Sequence, residues 1–196
     1  MLILVRHGQT EVNAGGRLQG RIDARLTELG RRQAQAAAAS VAAAVGGRTP
    51  LVVSSPLVRA VETASFISPD HIVDERWIEL DYGELDGKPL AEVPPELWAR
   101  WRSDPAFAPP GGESLLALGR RVRESCEELR VRAIDDDVVV VSHVSPIKAA
   151  AAWALGVGDE VSWRMFLDVA AITRLRVTES SASLVSWNER SHLATL

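Results

Sequence analysis

The 196-residue chain has a single cysteine, Cys126, which excludes an internal disulfide framework and any zinc site built from several cysteines. It has no apolar run approaching the roughly 18 residues of a membrane-spanning helix, so no membrane partner is expected. The apolar stretch Met1 to Val5 is cut off by Arg6 and His7, too short for the apolar part of a signal peptide, and a cytoplasmic setting is the expectation. Lysine is scarce: of 22 basic residues only Lys88 and Lys148 are lysines. Arginine is thus the ordinary base here, and a single arginine says little about phosphate unless its surroundings support it. Strong charge of either sign is absent as well. The balance of 22 bases against 26 acids gives −4, which argues against a nucleic-acid wrap or a polybasic anchor and leaves small molecules as expected partners.

What is present is an ordinary globular composition, 46% apolar and 24% charged, which excludes a disordered or collagen-like chain. The length fits one domain over 1–196, large enough to bury on the order of 70% of the surface of its unfolded chain. The runs Leu2 to Val5, Leu51 to Val53 and Val138 to Val141 are continuous and apolar, as strands buried on both faces are. Helices are expected between them: Thr27 to Val45 with a threonine cap and a stop at Gly46-Gly47, one starting at Pro56, one from Ser114 to Arg132 and one from Pro146 to Leu155. Alternating strands and helices predict an α/β three-layer sandwich, a mostly parallel central sheet with helices on both faces. Ile172 to Val177 and Leu184 to Trp187 add an edge hairpin. The proline-rich stretch 84–112 reads as a surface excursion over the active site, with a short helix near Glu96 to Arg102.

Ligands of open parallel sheets bind beyond the carboxyl ends of the strands. Three such ends carry Arg6-His7-Gly8-Gln9-Thr10, Ser54-Ser55-Pro56-Leu57-Val58-Arg59 and Ser142-His143-Val144-Ser145-Pro146. The last two predict a shared design, serine at the N-cap and proline at the first helical position, which would aim two helix N-termini at one rim. Each residue alone has a plain explanation: a strand-end histidine is commonly a polar surface residue, and Arg59 would ordinarily be a solvated partner of Glu62. Their convergence at one end of three buried strands is what suits a phosphate dianion.

The run Leu4-Val5-Arg6-His7-Gly8-Gln9-Thr10-Glu11-Val12-Asn13 resembles the signature of the histidine phosphatase superfamily (branch 1), which holds both phosphatases and cofactor-dependent phosphoglycerate mutases. The similarity continues through Leu26-Thr27-Glu28-Leu29-Gly30, Ser54 to Ala64, Glu79-Leu80-Asp81-Tyr82-Gly83, Gly111-Gly112-Glu113-Ser114 and Val141-Ser142-His143. It implies a phosphoglycerate mutase-like fold, His7 as the nucleophile that becomes phosphorylated, and Arg6, Arg59 and His143 as holders of the phosphoryl oxygens, assisted by Asn13 and by Thr10 or Gln9. Glu79 would give the leaving group its proton; Asp81, Glu84 and Asp86 stand nearby, and the spacing to Gly83 and Gly87 favours Glu79. A neutral His7 needs its second ring nitrogen to donate a hydrogen bond, for which the Gly8 backbone is placed. Val144 departs from the glycine that often follows the second histidine, putting a side chain on the pocket wall. Glu113 would either orient an arginine or face the entrance.

Cys126 and Arg132 have the spacing of cysteine-dependent phosphatases, but the intervening residues lack glycine and read as amphipathic helix, so Cys126 is expected to pack. The implied activity is a metal-independent phosphatase with no cofactor, acting on a small phosphate ester as a monomer or homodimer. Dedicated mutases of the family tend to carry extra closing segments, which makes mutase the alternative; a silent phosphate-binding protein would not need both His7 and Glu79. Trp98 and Trp101 either line the leaving-group pocket or pack the excursion onto the core.

Overall fold

Four consecutive valines, Val138 to Val141, are completely buried and form the centre of the sheet. In the computed structural model, which describes residues 1–196, the strands are β1 (Leu2–Arg6), β2 (Leu51–Ser54), β3 (Ile72–Val73), β4 (Val138–Ser142), β5 (Ile172–Val177) and β6 (Ala182–Glu189). They form one sheet in the order β3-β2-β4-β1-β5-β6, with β1 to β4 parallel, β5 antiparallel to β1 and β6 antiparallel to β5. The helices are α1 (Glu11–Ala14), α2 (Glu28–Val45), α3 (Val58–Ile67), α4 (Pro95–Ser103), α5 (Leu115–Asp135) and α6 (Val144–Leu155).

Alternation along the strands divides the core in two. Ile3, Val5, Val139 and Val141 pack against Ala37 and Val41 of α2 and Ala60 of α3. Leu2, Leu4, Val138 and Val140 pack on the other face with Leu118 of α5 and Ile147 of α6. The fold is therefore the expected three-layer α/β sandwich with a mostly parallel sheet. Thr27 caps α2 by accepting from Gly30 N–H at 2.9 Å, and Gly46 closes it in the left-handed conformation at φ 60°. Cys126 is buried on α5 in the larger core; burial pushes its thiol up, with Glu127 adding to the effect.

Two expected helix starts are corrected. α3 begins at Val58, with Leu57 as N-cap, because Pro56 and Leu57 form a bend ahead of the helix and the first helical bonds return to the Leu57 carbonyl, from Ala60 at 2.8 Å and Val61 at 3.1 Å. α6 begins earlier than expected, at Val144, with His143 as N-cap and Pro146 in the first turn. Proline is tolerated there because first-turn N–H groups have no intrahelical acceptor. The two starts thus do not share one design. The two-residue β3 has exposed side chains, and no hydrophobic pattern announces it.

Candidate active site

The register of three parallel strands assembles the site. Arg6 pairs with Ser142 across β1 and β4, and Ser54 with Val141 across β2 and β4. The next residues, His7, His143 and Ser55, therefore leave the sheet side by side. Backbone bonds continue the ladder, His7 N–H to Ser142 O and Ser55 N–H to Val141 O, both 3.0 Å. The imidazoles of His7 and His143 lie 5.0 Å apart, centre to centre. The loop after β1 is pressed onto α2: a Cβ on Gly8 would stand 2.2 Å from the Gly30 carbonyl oxygen, so no larger side chain fits without displacing backbone.

Both tautomers follow from hydrogen-bond partners. His7 Nδ1 lies 2.7 Å from the Gly8 carbonyl, which can only accept, so Nδ1 carries the proton and Nε2 keeps its lone pair. His143 Nε2 lies 2.6 Å from Ser55 Oγ, while its Nδ1 accepts from Arg59 Nε at 3.2 Å. The same Nε–H of Arg59 is 3.3 Å from His7 Nε2. One arginine N–H is thereby shared between two neutral imidazoles. Arg59 is fully buried, and its outer nitrogens donate to the carbonyls of Gly20 and Ile22, each at 2.8 Å. It does not pair with Glu62, which binds Arg25 at 2.6 Å instead. Asp86 braces the loop that receives Arg59, accepting from the N–H groups of Gly20, Arg21 and Ile22 at 2.7, 2.8 and 2.9 Å.

Burial, then the charges of Arg59 and Arg6, hold His7 well below the usual 6.5, and burial followed by Arg59 does the same for His143. Burial also lowers the Arg59 guanidinium to about 10, still a cation at neutral pH. The imidazole shifts predict a pH dependence of stability. As pH falls below 6.5 the unfolded chain takes up protons that the folded histidines refuse. Stability contributed by neutral burial is thus present above that value and lost below it, with a slope approaching about 1.4 kcal/mol per pH unit for each imidazole. Thermal midpoints should fall between pH 7 and pH 5, and less steeply in His143→Gln; equal slopes would show that His143 is not held neutral.

A cavity of about 350 Å³ opens above His7. Its floor includes Arg6, His7 and Glu79, and its wall Asn13, Val144 and Ser145. Arg59 and His143 lie behind His7 rather than on the cavity surface. Arg6 is anchored by a 2.7 Å bond to the Leu167 carbonyl, while its Nε is buried without a partner. Glu79 is nearly fully buried and accepts from Leu80 N–H at 2.7 Å and Ser145 N–H at 3.2 Å. The early start of α6 is what turns the Ser145 N–H toward this carboxyl. Arg121 holds the chain around Glu79, donating to the carbonyls of Arg76, Ile78 and Glu79, and is itself gripped by both oxygens of Glu113, each at 2.8 Å. Glu113 therefore orients an arginine and does not line the cavity.

Two expected binding residues lie elsewhere. Gln9 accepts from Thr27 Oγ1 at 3.1 Å, and Thr10 caps α1 while bonding Gln19 at 2.7 Å; neither borders the cavity. In their place stand Gln19, with a buried amide nitrogen lacking a partner, and Lys148. Gln19 sits in an irregular loop with no periodic signal. Lys148 is legible only after the start of α6 is known, four residues on from Val144 and on the same face. Trp98 lines the cavity, whereas Trp101 is completely buried and stacks on it at 5.7 Å, so the excursion both packs and walls the site. No three His, Cys, Asp or Glu side chains cluster as a metal site would require, and no helix is long and apolar enough to cross a membrane.

Fold and site together define an α/β protein with a histidine-centred pocket at the carboxyl ends of its parallel strands. The chain belongs to the histidine phosphatase superfamily (branch 1), whose family model matches residues 2–190. A bifunctional protein of Mycobacterium tuberculosis is 40% identical over 191 residues, 94% of this chain and 52% of the relative, so the chain spans about half the length of that protein. Phosphoserine phosphatase 1 of Hydrogenobacter thermophilus is 35% identical over 200 residues, covering 98% of this chain and 93% of the relative. The structure of mycobacterial glucosyl-3-phosphoglycerate phosphatase complexed with VO3 superposes with a TM-score of 0.84 at 35% identity, covering 96% and 98% of the two chains.

Proposed function

We propose that this protein is a phosphomonoester hydrolase that works through a phosphohistidine on His7. The observation that carries the reading is the Gly8 bond to Nδ1, which leaves an unprotonated Nε2 on the cavity floor beside two arginines. In the first step the Nε2 lone pair forms a bond to phosphorus while the phosphorus–oxygen ester bond breaks. Glu79 supplies the proton that makes the departing oxygen an alcohol. In the second step water attacks phosphorus, the phosphorus–nitrogen bond breaks, and Glu79 recovers a proton from the water. Negative charge spread over the phosphoryl oxygens meets Arg6, Asn13 and Gln19 in the cavity and the fixed charge of Arg59 behind it. Arg59 serves through position as well as charge, since its Nε–H bridges the two imidazoles. The likeness to a phosphoserine phosphatase and a glucosyl-3-phosphoglycerate phosphatase supports hydrolysis of a small ester.

The test is release of phosphate from para-nitrophenyl phosphate in excess EDTA, with an acid-labile, base-stable phosphoenzyme trapped by rapid quench. Turnover with that label is expected. Dependence on added metal, or turnover without the label, would sink the reading. Feeding 3-phosphoglycerate with its bisphosphate distinguishes the mutase alternative, for which isomer would outweigh inorganic phosphate.

A further inference from the structure

Lys148 is a cation for which the hydrolytic mechanism has no use. Its side chain lines the cavity from the second turn of α6, yet its ammonium has no hydrogen-bond partner and no carboxylate within 4.0 Å. Burial lowers its affinity for a proton, offset in part by the charge of Glu79. Glu79 Oε1 accepts from the backbone N–H groups of Leu80 and Ser145 at 2.7 and 3.2 Å, and no ion pair joins the carboxyl to Lys148. Arg6 and Arg17, the other cations on the cavity, are each tied to a backbone carbonyl, Leu167 at 2.7 Å and Gly87 at 2.9 Å.

Position indicates what such an ammonium would meet. Ser145 donates to Glu79, the group placed at the leaving oxygen, and Lys148 stands three residues further along the same helix. Three residues advance an α-helix by about 4.5 Å, the span of a few covalent bonds. From there a lysine side chain can meet the leaving group beyond its ester oxygen, in a region where Glu79 and Arg6 are the charges that act on the ammonium. Around it the walls are apolar, with Trp98, Trp163, Phe166 and Leu167. A second phosphate would bring up to two negative charges against this one uncommitted cation, whereas the single charge of a carboxylate is balanced by it.

We infer that Lys148 selects phosphate monoesters whose leaving alcohol carries a carboxylate two or three bonds from the ester oxygen. This rests on the hydrolytic reading of the same cavity, and the test separates the two. The probes are phosphoserine and phosphoethanolamine, which differ by that carboxylate alone. Wild-type kcat/KM should favour phosphoserine by about tenfold to a hundredfold, the discrimination typical of one hydrogen bond to a charged group. Lys148→Met should bring the ratio near one, mainly through KM for phosphoserine, and Lys148→Arg should restore part of it. Calorimetric affinities in His7→Ala protein, which needs no turnover, should show the same ratio and the same loss on adding Lys148→Met. Equal losses on both esters, or no preference in the wild type, would overturn the role of Lys148 even if para-nitrophenyl phosphate is hydrolysed. Lysine-dependent binding of phosphoserine without hydrolysis of any ester would instead uphold Lys148 and reject the hydrolytic reading.

Discussion

Replacing His7 with alanine is expected to lower ester hydrolysis by about four orders of magnitude or more and to abolish the acid-labile phosphoenzyme, because removal of a covalent nucleophile removes the step rather than slowing it. No neighbouring group is placed to take over. His143 is the other unprotonated imidazole, but it is completely buried behind His7, with Nε2 on Ser55 Oγ at 2.6 Å and Nδ1 on Arg59. The lone thiol, Cys126, is buried on α5 in the core under the sheet. Alanine at position 7 also leaves Arg59 Nε–H with one imidazole acceptor rather than two, so the buried guanidinium stays partly satisfied and the fold should survive. The measurements are steady-state release of phosphate, rapid-quench labelling, and a thermal melt to establish folding. Substantial turnover by a folded His7→Ala protein would remove His7 from the chemistry.

How far such a site can be read from sequence depends on whether its geometry is local. Buried parallel strands write themselves as apolar runs, and β1, β2 and β4 end within a residue of where those runs end. Once the strands are parallel, His7, His143 and Ser55 must emerge together. The proton position on His7 was legible too, since it needs only the next residue's carbonyl. What failed to show was everything set by side-chain partners distant in sequence. Gln9 and Thr10 look like phosphate ligands because they follow His7, but Thr27 and Gln19 claim them. Arg59 is marked for the site by the strand ends and by the family resemblance, but the loop of Gly20 and Ile22 that encloses it is not. The braces Asp86 and Arg121 hold backbone from other segments, Arg121 while gripped by Glu113, and no spacing rule along the chain encodes those backbone contacts. The start of α6 escapes a rule that puts proline at the first helical position, because a first turn admits it at more than one position.

That same turn makes Glu79 the subject of the second large effect. Glu79→Gln keeps the size of the side chain and an oxygen able to accept from Leu80 N–H, now 2.7 Å from the carboxyl, so the segment fixed by Arg121 should hold its shape. What is lost is a proton that can leave with the alcohol. For an alkyl ester such as phosphoserine, whose alkoxide is a poor leaving group, the expected fall in kcat is about a hundredfold to ten-thousandfold. For para-nitrophenyl phosphate the phenolate departs with little assistance, and the fall should be at least about tenfold smaller. Rapid-quench labelling adds a separate reading: with the alkyl ester, formation of the phosphohistidine itself should slow. Equal losses on the two esters would mean that Glu79 acts on the phosphoryl group or on Arg6 and not on the leaving oxygen, and the proton would then have to come from another group on the cavity wall, where Tyr82 and Lys148 are the side chains to test.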